Sequence, residues 1–184
     1  MGGVFAANMT GNTVLAGIAG AEGRFEDALR HIATLLAFFV GAMLARVLLR
    51  LSRRQSVPIL LEAAIVAAVA VAPLGREPAV LVLAFAMGIQ ASAVTHFAGA
   101  AISTVVVTST LARTADGAVD ALWPRPDAQK PAARTSRLLA LTWVGYLVGA
   151  VAGTLLLKAV AWPLLVPAVL LLVLVPLLDP KWEG

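Results

Sequence analysis

Residues 79–111 read AVLVLAFAMGIQASAVTHFAGAAISTVVVTSTL, 33 consecutive positions without Asp, Glu, Lys or Arg. As one straight helix they would be about 50 Å long. The hydrocarbon of a bilayer is about 30 Å thick. The stretch is too long for one plain crossing, and its interior holds Gly88, Gln90, Thr95, His96 and Gly99. Gln and His are costly in hydrocarbon and belong toward a bundle interior. Whether the stretch crosses once or twice decides the fold.

The flanking charges choose between the two. Lys and Arg concentrate in cytoplasmic loops. Arg50, Arg53 and Arg54 follow the apolar run 32–49, and Arg113, Arg125, Lys130, Arg134 and Arg137 lie in the long loop 113–137. Placing loops 50–57 and 113–137 both in the cytoplasm requires an even number of crossings between them. Residues 57–74 supply one, so 79–111 supplies one more, as a broken span: a half-helix, an unwound or re-entrant part, then a second half-helix. Two ordinary spans would put the long basic loop outside.

Composition supports this setting. The chain has 184 residues, is 60% hydrophobic and 13% charged, and has a mean hydropathy of +0.92. Soluble domains are about 45–50% apolar and about 25% charged. The remaining spans read as 4–19, short and polar-interrupted, then 138–157 and 164–178, with 21–31 as a loop. No inter-span segment is long enough for a soluble enzyme domain. Cys is absent and His occurs twice, which excludes disulfides and thiolate sites and gives no metal motif. No nucleophile–base set or phosphate loop is present. We therefore expect no enzyme activity, no cofactor, no metal and no nucleic-acid partner. The net charge of +4 sits mostly in two loops and is accounted for by orientation.

The chain repeats. Val4-Phe5-Ala6-Ala7-Asn8-Met9-Thr10-Gly11-Asn12-Thr13-Val14 aligns with 102–112, so that Thr10 falls on Thr108 and Asn12 on Thr110. Ala37, Gly41 and Ala45 align with Gly145, Gly149 and Gly153, and each set forms a small-residue helix face. Such faces let helix backbones approach closely in lipid. Three crossings per repeat is an odd number, so the second copy is inverted relative to the first. The second copy has an apolar half, 79–99, ahead of its polar motif, whereas the first has only Met1-Gly2-Gly3. The sequence thus predicts an all-α polytopic membrane protein: one domain over 1–184, with inverted three-helix repeats at 1–78 and 79–184, broken first helices, and a first span truncated at the N-terminus.

The motif Val4–Thr13, together with Ala84-Phe85-Ala86-Met87-Gly88-Ile89-Gln90-Ala91, Thr104 and Val107-Thr108-Ser109-Thr110, resembles the YoaK-type family of bacterial inner-membrane proteins. The resemblance covers nearly the whole chain. Position 91 is Ala where Asn is expected, and position 109 is Ser where Gly is expected. It implies a small multi-pass membrane protein and supplies no substrate.

Inverted repeats with discontinuous helices mark many secondary transporters, whose sites lie at the breaks. A small-solute transporter or permease-like protein is the leading expectation. Its substrate-binding residues are Asn8, Thr10, Gly11, Asn12 and Thr13, with Gln90, Thr104, Thr108 and Thr110. Asn and Thr can satisfy an unwound backbone or hold a ligand, and Gly11 permits the bend. Their structural alternative is capping and helix–helix gluing. Glu62, the only acidic residue well inside a span, and His96 are the ion-coupling candidates. Glu62 could instead pair with Arg46 or Arg50. The competing function is a membrane scaffold that assembles homo-oligomers through the small-residue faces. The expected partners are the lipid bilayer and a small solute, and the expected location is the bacterial inner membrane.

Overall fold

Asn8 starts the first helix. Its side-chain Oδ1 accepts from the Gly11 N–H at 2.9 Å, satisfying one of the donors that a helix start leaves free. A Cβ at Gly11 would lie 2.9 Å from the Asn8 side-chain nitrogen, so glycine there makes room for the cap. In the computed structural model the described residues are 3–93, 96–97, 100–101, 115, 119 and 133–178. Six helices and one short antiparallel pairing carry the fold among them.

Helix α1 is Met9–Ala21, α2 Phe25–Ser52, α3 Ser56–Val71 and α4 Arg76–Ala93. Strands β1 (His96–Phe97) and β2 (Ala100–Ala101) pair antiparallel, His96 opposite Ala101 and Phe97 opposite Ala100. Helix α5 is Ala133–Ala159 and α6 Leu165–Leu178. The chain falls into two units: Met1–Val94 with Trp162–Gly184, and Thr95–Ala161.

In the first unit the turns follow local chemistry. Gly23 takes φ +75°, a left-handed conformation that favours glycine. It lets the Arg24 N–H reach back to the Ala19 carbonyl at 2.8 Å and close the end of α1. Helix α2 then begins at once, with Glu26 and Asp27 in its first turn, where acidic side chains complement the helix dipole. This corrects the loop expected over 21–31. The helix starts at Phe25, about two turns before the apolar run does, because a charged first turn is good helix chemistry. Arg53, at φ 56°, ends α2, and Pro73 lies in the turn that follows α3.

Helices α2 and α4 form the closest pair. Arg30 meets Glu77 near their starts, and further along Gly41 meets Phe85 while Gly88 meets Phe38. Both helices advance in the same sense and so run parallel, and α3 is the return between them in sequence. Helix α1 packs on α2, and α3 packs on α6 and α4. Val66, Ala86 and Ala168 join these last three, flanked by Ile65, Leu83 and Leu164. Much large apolar surface faces outward, including Phe39 at 61% and Leu51 at 78% exposure. Among the described residues α2 is the one helix long and apolar enough to cross a membrane; α3, 144–159 of α5 and 165–176 of α6 are shorter apolar helices.

In the second unit, α5 is exposed along 144–152, and a Cβ at Gly145, Gly149 or Gly153 meets nothing within 4 Å. The long apolar stretch is not one helix: α4 stops at Ala93, and the strand pairing falls within the part expected to be unwound. The second half-helix expected after it lies outside the described residues.

Candidate functional site

Asn12 is the centre of the polar motif and is fully buried. One turn into α1, its amide turns back on the non-helical residues before the helix. Nδ2 donates to the Phe5 carbonyl at 2.6 Å, and the Phe5 N–H donates to Oδ1 at 3.1 Å. This pair of hydrogen bonds to the backbone of one residue fixes which end of the amide is oxygen. Oδ1 also lies 3.3 Å from His31 Nδ1. Because Oδ1 only accepts, the imidazole must place its proton on Nδ1. In its neutral form His31 then carries a lone pair on Nε2. Nε2 has no partner among the described residues.

His31 is 3% exposed, and with Thr34 it borders a cavity of about 680 Å³. Gly3 and Val4 line it from the N-terminal segment, Arg76, Glu77, Val80 and Leu81 from α4, and Leu29, Arg30 and Ala33 from α2. Thr34 is spent on its own helix, donating to the Arg30 carbonyl at 2.9 Å. Arg30 bonds Glu77 at 3.0 Å and Asp27 at 3.2 Å. Asp27 also takes Arg24 at 2.6 Å, and Arg24 takes Glu22 at 2.7 Å. The Arg24 guanidinium holds the Asp27 carboxyl below its usual range, and the two carboxylates push Arg24 up. Arg76 makes no ion pair among the described residues, so the rim presents one unspent cation.

The other expected site residues divide. Asn8 caps α1, and the Thr13 hydroxyl donates to the Met9 carbonyl at 2.9 Å. Thr10 is exposed and Gly11 half-buried. Gln90 is half-buried on α4. Glu62 is fully buried on the packed face of α3 with Ile59, Ala63 and Val66, and neither carboxylate oxygen has a hydrogen-bond partner among the described residues. It pairs with neither Arg46 nor Arg50. His96 lies in β1. Thr104, Thr108 and Thr110 lie outside the described residues. The structure thus brings Asn12 to a residue that sequence reasoning passed over, His31. The signal was present: Ala28, His31, Thr34, Gly41 and Ala45 all fall on the buried face of α2.

No metal-holding group of three or more His, Asp or Glu occurs among the described residues. No curated protein and no solved structure matches the chain. One family does match, over residues 1–177, and its description is a protein of unknown function, DUF1275. With nearly the whole length matched, the chain belongs to the DUF1275 family.

Proposed function

We propose that this is a multi-pass protein of the bacterial inner membrane, built from two inverted three-helix repeats, that carries a small polar solute. The observation that carries the proposal is the cavity at the head of α2 and α4, whose buried His31 is held in one tautomer by Asn12 of the polar motif. A buried imidazole oriented by a dedicated amide beside an open cavity is what ligand binding needs, whereas simple helix gluing does not need the cavity. Transporter sites form where non-helical backbone meets helix starts, and residues 3–8 meet α1 beside this cavity. Asn12 orients His31 and Gly11 gives the Asn8 cap its room, while Thr10, Thr13 and Gln90 lie off the cavity wall and are proposed as substrate contacts outside it. Glu62 and His96 are the proposed ion-coupling residues, and Thr104, Thr108 and Thr110, which lie outside the described residues, are the proposed substrate-binding residues of the second repeat. The likeness to YoaK-type proteins agrees with a small multi-pass chain.

The experiment is reconstitution of the full chain into liposomes, with uptake and solid-supported membrane currents recorded against a panel of small metabolites. Flux that Asn12→Ala and His31→Gln abolish is expected. A wild-type chain that is folded yet moves nothing in the panel, and whose deletion phenotype Asn12→Ala complements fully, would sink the proposal.

One observation favours a second reading. A Cβ at the glycines of α5 would meet nothing within 4 Å among the described residues, as on a helix face open to a second copy. If cysteines at 145 and 149 crosslink two copies in membranes and no solute moves, the protein is an assembling scaffold.

A further inference from the structure

We propose that the cavity between α2 and α4 takes a small aliphatic carboxylate that also carries a hydrogen-bond donor, as a 2-hydroxy or 2-amino acid does. The inference rests on reading this cavity as a solute site and adds the ligand's chemistry.

The cavity's charged groups are largely spent on one another. Arg30 lies between Asp27 and Glu77, and Asp27 is shared with Arg24. Arg76 is left over, exposed and without an ion pair among the described residues. A guanidinium fork fits a carboxylate with two parallel hydrogen bonds. That favours an anion of one charge, because the remaining carboxylates, Asp27 and Glu77, would repel a second.

The second handle is His31. Nδ1 is committed to Asn12 at 3.3 Å, so neutral Nε2 can only accept. An acceptor beside a cavity, with no partner among the described residues, favours a ligand bearing O–H or N–H over an analogue that lacks that group. Between these two handles the walls are aliphatic: Val4, Leu29, Ala33, Val80 and Leu81. They suit a short hydrocarbon body. The volume, about 680 Å³, accommodates a small organic molecule with water.

Three probes separate the handles: lactate, propionate, which lacks the hydroxyl, and propane-1,2-diol, which lacks the charge. Each is titrated calorimetrically into the full-length protein in lipid nanodiscs. Lactate is expected to bind at least about ten-fold more tightly than either of the others. Arg76→Gln, an exposed change that leaves the packing intact, should lower lactate affinity about ten-fold. His31→Gln should erase the preference for lactate over propionate. Equal affinity for lactate and propionate, no binding of any probe, or an Arg76→Gln protein that binds lactate like wild type would each overturn the inference. Flux of an unrelated solute through the same protein would leave the transport reading standing while this inference fails. Tight lactate binding without flux would do the reverse.

Discussion

Gly41 of α2 and Gly88 of α4 occupy the crossing of these two helices so closely that neither has room for a Cβ. At Gly41 it would fall on the Phe85 carbonyl, with the carbonyl carbon 2.9 Å away. At Gly88 it would fall on the Phe38 carbonyl, with the Ala42 nitrogen 3.0 Å away. Each obstacle is backbone and cannot rotate aside. Gly41→Ala or Gly88→Ala should therefore destabilise the first unit by about 1–3 kcal/mol, read as a lower denaturation midpoint in mixed micelles. Gly145→Ala on α5 meets nothing within 4 Å and should cost nothing, gaining up to about 1 kcal/mol from helix propensity.

Asn12→Ala removes the partner of the Phe5 N–H, the Phe5 carbonyl and the His31 N–H together. An orphaned buried group costs about 1–3 kcal/mol, so the loss should exceed the roughly 1 kcal/mol expected for removing the Asn8 cap. Thermal unfolding of Asn12→Ala and Asn8→Ala, measured side by side, checks the order. Equal midpoints would show that the Phe5 and His31 contacts of Asn12 together contribute no more than the Asn8 cap.

Glu62 is a carboxyl without a partner among the described residues, in a packed apolar face. Burial of such a group costs about 1–3 kcal/mol. Glu62→Met, close in volume, should raise the unfolding midpoint by a comparable amount. If Glu62 couples an ion, the same variant loses gradient-driven uptake. Gain in stability with loss of coupled flux separates a functional carboxyl from a structural one.

Acid should loosen the start of α2. Asp27 is held below its ordinary value near 3.8, first by the hydrogen bond from Arg24. A carboxyl lowered in the folded state contributes stability that is fully present above its unfolded value. That contribution is lost as pH falls through the lower folded value. Unfolding midpoints followed from pH 6 downward should decline less steeply for Asp27→Asn than for wild type. The difference should be small, because the group is at the surface and screened by salt.

The absence of cysteine makes orientation simple to measure. Arg54→Cys, in the turn after α2, should resist a membrane-impermeant maleimide in intact cells. Glu26→Cys, at the opposite end of the same helix, should react. The reverse pattern would invert the assigned topology.

Much of the first unit could be read from residue order. The apolar runs gave α3 and α6 within a few residues and the body of α2 but not its first two turns, and Asn8 stood at a helix start as its side chain requires. The small face of Gly41 and Ala45 proved to be a buried one. His31 was not legible, because Glu22, Arg24, Glu26, Asp27 and Arg30 surround it with the polarity of a loop. Charge density marked the surface correctly but hid the helical period beneath it. The cavity was equally hidden: it arises where α2 and α4, 47 positions apart at Arg30 and Glu77, come together, and pairing across that distance leaves no local pattern. Nothing in the composition distinguishes Arg76, which is left over, from Arg30, which is committed.

The bond pair between Asn12 and Phe5 has a kinetic consequence. A side-chain amide here plays the part of a neighbouring strand, offering one donor and one acceptor to the backbone of a residue, Phe5, that lies outside any helix or sheet. The Phe5 amide should exchange its hydrogen for deuterium slowly, unlike those of the residues around it. Since the same Asn12 oxygen faces His31, any event that turns the imidazole will register as faster exchange at Phe5. The N-terminal segment thereby becomes a clock that reports how often the buried pair comes apart.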